Sequence, residues 1–552
     1  MGPEQPNRRF DGPGGNCYTV GRLFFVKSRN IWYAGLILLV LLAVAVRVRL
    51  LALPLERDEG EFAYAGQLIL QGIAPYKLAF NMKMPGTYAA YALLMALFGE
   101  SPSGIHLGFL LVNLGTLALL FLLARRLLEG PAVPICCAAY VLLSLSPTVL
   151  GLEGHATHLV VIHALGGLLL LLRARQSGKS ATFFLSGLLF GLAFLCKQPG
   201  LFFGVFALAL LLRDALAARP VPWRPCLHRL FWLSLGMVLP LALTCLVLWR
   251  AGTFGRFWFW TVPYARVYGG LQSLPEGLDR LGTFFAFGGD RWFYLTGTLG
   301  LLGLYWRQAA AERKFFFTAL FFCSFLATAA GLYFRGHYFI LMLPVICLLI
   351  GDALAWAADW LARTPRPWLR AAPAGLFLAG GLWLAWDYRA IWFELPIAQA
   401  SKALYLAEAF VECQECGNYI RRHSSPQDRI AVIGSEPEIY FYARRHSASG
   451  YIYMYDLVRK QPYALDMQRE FTNDVETLKP RWIVLINAGA SWMPWPKETL
   501  PFIDWINWYP RQFYELIGLA AVYQTDSAYF WDPDGIRKHQ DTASSVFVFR
   551  RK

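Results

Sequence analysis

The chain has 552 residues, of which 57% are hydrophobic and only 16% charged, with a mean hydropathy of +0.41. A soluble protein carries about 25% charged residues, so this composition excludes a soluble globular protein and indicates an integral membrane protein. The net charge of +15 does not indicate nucleic acid as a partner, because most Lys and Arg sit in short gaps between apolar runs, where they act as a positive-inside signal.

Residues 1–30 read as a cytoplasmic tail with Arg8, Arg9, Arg22, Lys27 and Arg29. The first apolar run, 31–53, is long enough to span and lacks a small-residue cleavage site, so it reads as a retained signal anchor. A span takes about 20 apolar residues. Further runs near that length occur at 104–124, 131–150, 157–173, 181–196, 199–212, 230–249, 291–306, 314–334, 338–358 and 371–388, so eleven spans are expected. Every second gap is basic: Arg125 and Arg126, then Arg173, Arg175 and Lys179, then Arg213, Arg219, Arg224 and Arg229. Arg307, Arg313 and Lys314 follow, and last Arg363, Arg366 and Arg370. The alternation sets the N-terminus in the cytoplasm and the C-terminus outside.

The gaps on the other side differ in chemistry. The first, 54–103, holds "LERDEGEFAY" and "NMKMPG", and the second is "SPTVLGLEGHATH". "CKQPG", the Trp-rich loop of 250–290 and "YFRGHY" complete the set. Asp58, Glu59, Lys83, Glu153, His155, His158, Lys197, Arg250, Arg266, Arg335 and His337 thereby share one face of the membrane. Residues 391–552 read as an extracytoplasmic α/β domain, with strands in "DRIAVIG", "RWIVLINAG" and "SSVFVFRR" and a helix after the first.

Glu56, Asp58, Glu59 and Glu61 lie within six residues. They are either a solvated loop or a site, and the following "FAYAGQLILQGIAPY" is amphipathic enough to lie along the interface. With the cluster at a helix start, Asp58 and Glu61 share a face, Glu59 points elsewhere, and Gly60 allows a bend between carboxylates. Lys83, Lys197 and the Arg335/His337 pair are cations suited to a lipid phosphate. Glu153 with His155 and His158 is either a second carboxylate of the site, a metal constellation or a plain loop. Cys136, Cys137, Cys196, Cys245, Cys323 and Cys347 read as packing residues, and Cys413 with Cys416 as a local disulfide or two spare thiols. No P-loop, Rossmann glycine motif or nucleophile elbow is present, so a lipid-linked donor fits an enzyme on this face better than a nucleotide sugar.

The pieces "LERDEGEFAYAGQLILQGIAPY", "KMPGTYAAY", "SPTVLGLEGHATHLVV", "LAFLCKQPGLFF" and "FRGHYFILMLP", in this order, resemble the membrane glycosyltransferases of the GT-C fold. The chain looks like the bacterial branch of the dolichyl-phosphate-mannose protein mannosyltransferase family, which includes the aminoarabinose transferase of lipid A. The resemblance implies a polytopic α-helical GT-C module over 31–390 and an external α/β domain over 391–552, in a bacterial inner membrane. It implies transfer, with inversion, of a sugar from a polyprenyl-phosphate-linked donor to an acceptor lipid, glycan or protein. No cofactor is implied, and a divalent metal is neither required nor excluded. Carried over by position, Asp58 orients or deprotonates the acceptor, with Glu59 its motif neighbour. Lys83, Lys197, Arg335 and His337 contact the donor phosphate, and Glu153, flanked by His155, is the second-loop acid. Glu56 and Glu61 take structural or solvated roles. "KMPG" departs from the Lys-Pro-Pro of much of the family. A polyprenyl-phosphate carrier or flippase and a lipid-linked glycan ligase are the alternatives.

Overall fold

The computed structural model describes residues 19–552 apart from 289, 407 and 493–495, with side chains from Ile31 onward save those of Phe287 and Pro367. The expected tail lies outside the described residues as far as residue 18. From there Thr19–Arg49 is one helix, α1, so the first apolar run continues a helix that has already begun. The chain then builds α2 (Arg57–Leu70), α3 (Pro85–Phe98), α4 (Pro102–Leu127), α5 (Ala132–Ser144), α6 (Ala156–Ser177), α7 (Ser180–Cys196), α8 (Leu201–Ala217) and α9 (Trp223–Arg250).

Each of the eleven apolar runs falls on a helix, but eight described helices are long and apolar enough to cross a membrane. Arg291–Trp306, α5 and α7, with 16, 13 and 17 residues, account for the difference. At about 1.5 Å per residue a helix of this length falls short of the roughly 30 Å hydrocarbon core. The 14-residue α3 is a further apolar helix, inside what the sequence presents as a loop. α5 is buried along nearly its whole length. By contrast α1 and α9 expose Leu38, Leu41, Val238 and Val247, as helices facing lipid do.

Arg47, near the end of α1, is buried and donates to the carbonyls of Ser144 (2.7 Å) and Gly151 (2.9 Å). Arg49 donates to Ile391 and Trp392. These bonds tie one end of the bundle to the chain that leads into the C-terminal region.

That region forms a six-stranded mixed sheet of order β2-β1-β3-β6-β4-β5. β1 (Arg429–Ile433) runs parallel to β2 (His446–Ser447) and β3 (Trp482–Asn487). β6 (Ser545–Arg551) is antiparallel to β3 and to β4 (Tyr514–Val522), and β5 (Ser527–Phe530) is antiparallel to β4. The three strands expected from sequence are β1, β3 and β6. Among the described residues the sheet shares its core with the bundle: one apolar cluster runs from the membrane helices to Ile430, Val432 and Val484. A second cluster joins Ile433, Ile483 and Phe549 to Phe80, Trp260 and Tyr264. Cys413 and Cys416 lie buried as free thiols on the helix Phe410–His423.

Candidate functional site

The acidic stretch opens α2. Glu56 is the N-cap, its side chain accepts from the Glu59 backbone N–H at 2.9 Å, and the Glu59 carboxylate accepts from the Glu56 N–H at 3.2 Å. This capping box starts the helix at Arg57, and its phase sends each acid in a different direction. The α2 segment does not lie along the interface, because Glu59–Leu68 are all buried, in contact with α3 and with the helix Glu438–Ala443. Gly60 makes no bend. A Cβ there would meet the Glu438 Cβ, N and Cα at 2.5, 2.6 and 2.7 Å, so glycine lets the two helices touch.

Asp58 faces a cavity of about 1140 Å³ counted to its open mouth, where Lys83, Lys197, Arg335, Tyr453 and Arg459 also line the wall. Lys83 Nζ lies 3.0 Å from Asp58 Oδ1 and 5.0 Å from the centre of the Phe62 ring. Lys197 Nζ lies 4.1 Å from the centre of the Tyr338 ring. The two lysines converge because their loops are joined. Thr87 donates to the Cys196 carbonyl (2.7 Å) and Gln198 to the Met82 carbonyl (2.7 Å). Pro85 starts α3, and a Cβ on Gly86 would meet the Leu195 carbonyl oxygen at 2.4 Å. "FRGHY" reaches the second loop by the same device: a Cβ on Gly336 would meet the Thr148 oxygen at 2.2 Å.

That approach stacks the His337 ring on His155, with centroids 4.0 Å apart. His337 Nε2 lies 3.8 Å from Asp58 Oδ2, and His155 Nδ1 3.7 Å from Glu56 Oε1. Both nitrogens of His155 are buried without a hydrogen-bond partner. Ligand atoms of Asp58, His155 and His337 lie within 4.8 Å of one another, a two-imidazole, one-carboxylate set that fits a divalent cation of the zinc type. The H-x-x-H pair is not brought together, since His158 meets Asn113 Nδ2 at 3.3 Å instead.

Burial works to raise the Asp58 carboxyl, but Lys83 and Arg335 outweigh it and hold the group well below the usual carboxylate range. Burial, reinforced by Lys83, brings Lys197 down to about 7. Burial lowers His155 to about 4 and, with His155 and Lys197 adding to it, takes His337 well below its ordinary value. The two stacked imidazoles are therefore neutral at pH 7.

Two of the expected site residues, Glu59 and Glu153, lie elsewhere. Glu59, with no exposed surface, accepts from the Gly154 N–H (2.6 Å) and sits 3.0 Å from His106 Nε2, so it anchors α2 to the second loop and α4. Glu153 takes a hydrogen bond from Tyr405 (3.1 Å) and is raised by burial to about 7. Neither lines the cavity. Arg250 and Arg266 are exposed and outside it. Glu61 is not solvated either: Tyr88 (2.6 Å) and Asn81 (3.0 Å) donate to it, and burial raises it to about 7.

Sequence reasoning missed His106, Tyr268, Tyr453, Tyr455, Asp456 and Arg459. His106 carried a signal, an ionisable residue inside an apolar run. The others sit in Tyr-rich stretches with no periodicity to mark them.

Residues 82–261 match the family model described as dolichyl-phosphate-mannose-protein mannosyltransferase, a stretch that takes in Lys83, Glu153 and Lys197. Among solved structures, ArnT from Cupriavidus metallidurans bound to undecaprenyl phosphate is similar at a TM-score of 0.54 and 15% identity, over 97% of this chain and 98% of that one. The chain has the GT-C fold. The Archaeoglobus fulgidus oligosaccharyltransferase shares this GT-C architecture in its apo form at a TM-score of 0.54 and 14% identity, over 91% of this chain and 74% of that one. In complex with an inhibitory peptide and a dolichol-phosphate it matches at 0.51 and 12%, over 92% and 75%. No curated protein matches in sequence.

Proposed function

We propose that this chain is a membrane glycosyltransferase that moves a sugar from a polyprenyl-phosphate-linked donor to an acceptor hydroxyl or phosphate in a single inverting displacement. The observation that carries this reading is the cavity itself: one carboxylate, Asp58, against Lys83, Lys197 and Arg335. The similar ArnT structure holds undecaprenyl phosphate, and the alternating basic gaps support placing the cavity on the extracytoplasmic face of a bacterial inner membrane. The module over 31–390 then supplies the acid and the donor-facing cations, and the region over 391–552 covers them from outside.

In this reading the donor phosphate enters between Lys83, Lys197 and Arg335. It competes for the Lys83 ammonium, and as that cation turns to the phosphate the Asp58 carboxyl regains basicity. The acceptor oxygen, held at Asp58, attacks the anomeric carbon from the side opposite the phosphate. The new carbon–oxygen bond forms as the bond to the phosphate oxygen breaks. The acceptor proton goes to Asp58, and the bond pair leaves on the phosphate, where the fixed cations stabilise it. The leaving group is already an anion of low basicity, so no acid is needed to protonate it. A divalent cation, if held by Asp58, His155 and His337, would supply positive charge at the site and would lower the basicity of Asp58.

The test is Asp58→Asn in purified protein supplied with polyprenyl-phosphate sugar. Turnover falls by about 100-fold or more, while the Kd for undecaprenyl phosphate changes little. Wild-type turnover in that variant overturns the base assignment, and tight binding with no transfer by the wild type favours the carrier reading.

A further inference from the structure

Four cations line the cavity beside Lys83: Arg57, Lys197, Arg335 and Arg459. Arg57 is fully engaged, donating to the Ser435 carbonyl (2.6 Å) and to Glu436 (3.0 Å) and pairing with Glu408 at 2.8 Å. Lys83 is paired with Asp58. Lys197 and Arg335 are assigned above to the donor phosphate. Arg459 remains.

Arg459 follows the short helix Tyr455–Val458 in the C-terminal region. Among the described residues its guanidinium makes no ion pair, and its Nη1 is buried without a hydrogen-bond partner. It sits 5.0 Å from the centre of the Tyr268 ring. That ring stacks on Tyr333 at 4.7 Å, and Arg335 lies 5.7 Å from the Tyr333 ring. Asp456, the nearest acid in sequence, accepts from Tyr264 at 2.5 Å and acts on Arg459 only at longer range, without an ion pair. A buried cationic donor without an acceptor is costly, and the residue that carries it is part of the wall of a substrate-sized cavity. The guanidinium rests near an aromatic ring, and a guanidinium is a fork suited to two oxygens.

We infer that Arg459 is a second anion-binding position, which recognises a carboxylate or phosphate on the acceptor next to the hydroxyl that is glycosylated. The inference rests on the reading of Lys83, Lys197 and Arg335 as the donor-phosphate group. It assigns selection of an acidic acceptor to the C-terminal region and chemistry to the helical bundle.

The test uses full-length protein in lipid nanodiscs saturated with undecaprenyl phosphate, so that the donor-phosphate position is filled. Inorganic phosphate, glucuronate and neutral methyl glucoside are then titrated, the first two separating phosphate from carboxylate as the preferred group. The wild type binds at least one anion in preference to methyl glucoside. Arg459→Gln weakens that binding by about tenfold or more, with the Kd for undecaprenyl phosphate held within about twofold. Arg459→Lys, which keeps the charge and loses the fork, falls between them. Arg335→Gln shows the opposite pattern, losing undecaprenyl phosphate and keeping the anion. The proposal is overturned by equal loss of undecaprenyl phosphate in Arg459→Gln and Arg335→Gln, which would put both arginines on one phosphate. Equal affinity of the wild type for neutral and anionic probes also overturns it. If the wild type fails to bind undecaprenyl phosphate at all, the donor reading falls first, and the premise of this inference with it.

Discussion

At the scale of single residues, four neighbouring carboxyl groups have four different environments. Asp58 faces cations and a cavity, and Glu59 a histidine and a backbone N–H. Glu61 meets a tyrosine and an asparagine, and Glu56 caps its own helix. Glu59→Ala leaves His106 and the Gly154 N–H without their acceptor, at a cost on the order of 3 kcal/mol. Thermal unfolding in detergent should show the loss, while the fraction that stays folded keeps its affinity for undecaprenyl phosphate. Lys197 provides a pH test. Its value near 7 means that the ammonium is present below that pH and lost above it. Binding of a polyprenyl phosphodiester, whose charge does not change in this range, should tighten as pH falls from about 8 to about 6, since the anion takes up a proton on Lys197. The effect should be absent in Lys197→Gln, and a flat profile in the wild type would remove Lys197 from the donor group.

At the scale of elements, α2 looks in sequence like a helix lying on the membrane surface, because its polar and apolar residues separate around the axis. The structure buries both faces. Gln67 donates to Glu100 at 2.9 Å, Tyr64 stacks on Tyr440 at 5.1 Å, and the polar face is satisfied within the protein rather than by water. Hydrophobic period reports that a helix has two faces, and says nothing about whether the polar one meets solvent. The contact at Gly60 allows a direct test. Gly60→Ala forces α2 away from Glu438–Ala443 and should lower stability by roughly 1–3 kcal/mol, read as a shift in Tm. An unchanged Tm would show that the helices part without cost.

At the scale of the whole molecule, the bundle and the sheet region share a core and share the cavity. Arg57 connects them: it begins α2, and its guanidinium reaches Ser435, Glu436 and Glu408. Arg57→Ala leaves buried Glu436 without its counter-charge, a loss on the order of 3 kcal/mol. Limited proteolysis should cut the variant faster within 391–552, and turnover should fall although Asp58 is intact. Equal proteolysis of the two proteins would mean that the shared apolar core alone holds the regions together.

Much of this organisation was legible in the amino-acid sequence. The membrane class, the positions of the helices and three strands of the sheet could be read there, but the set of loop residues placed on one face also took in Glu59, Glu153, His158, Arg250 and Arg266, which the cavity leaves out. These are properties of local composition: a bilayer imposes length and hydropathy on a span, and charge alternation sorts the loops between its two sides. The rest depended on contacts between residues far apart in the chain. Which acid meets the cations depends on where the capping box starts α2. The demotion of Glu59 and Glu153 depends on His106 and Tyr405, 47 and 252 residues away. The convergence of the lysine loops depends on a glycine that lets α3 touch the end of α7. Tyr453, Tyr455 and Arg459 enter the cavity only because the sheet region docks on the bundle, and docking is set by packing, which no local pattern records.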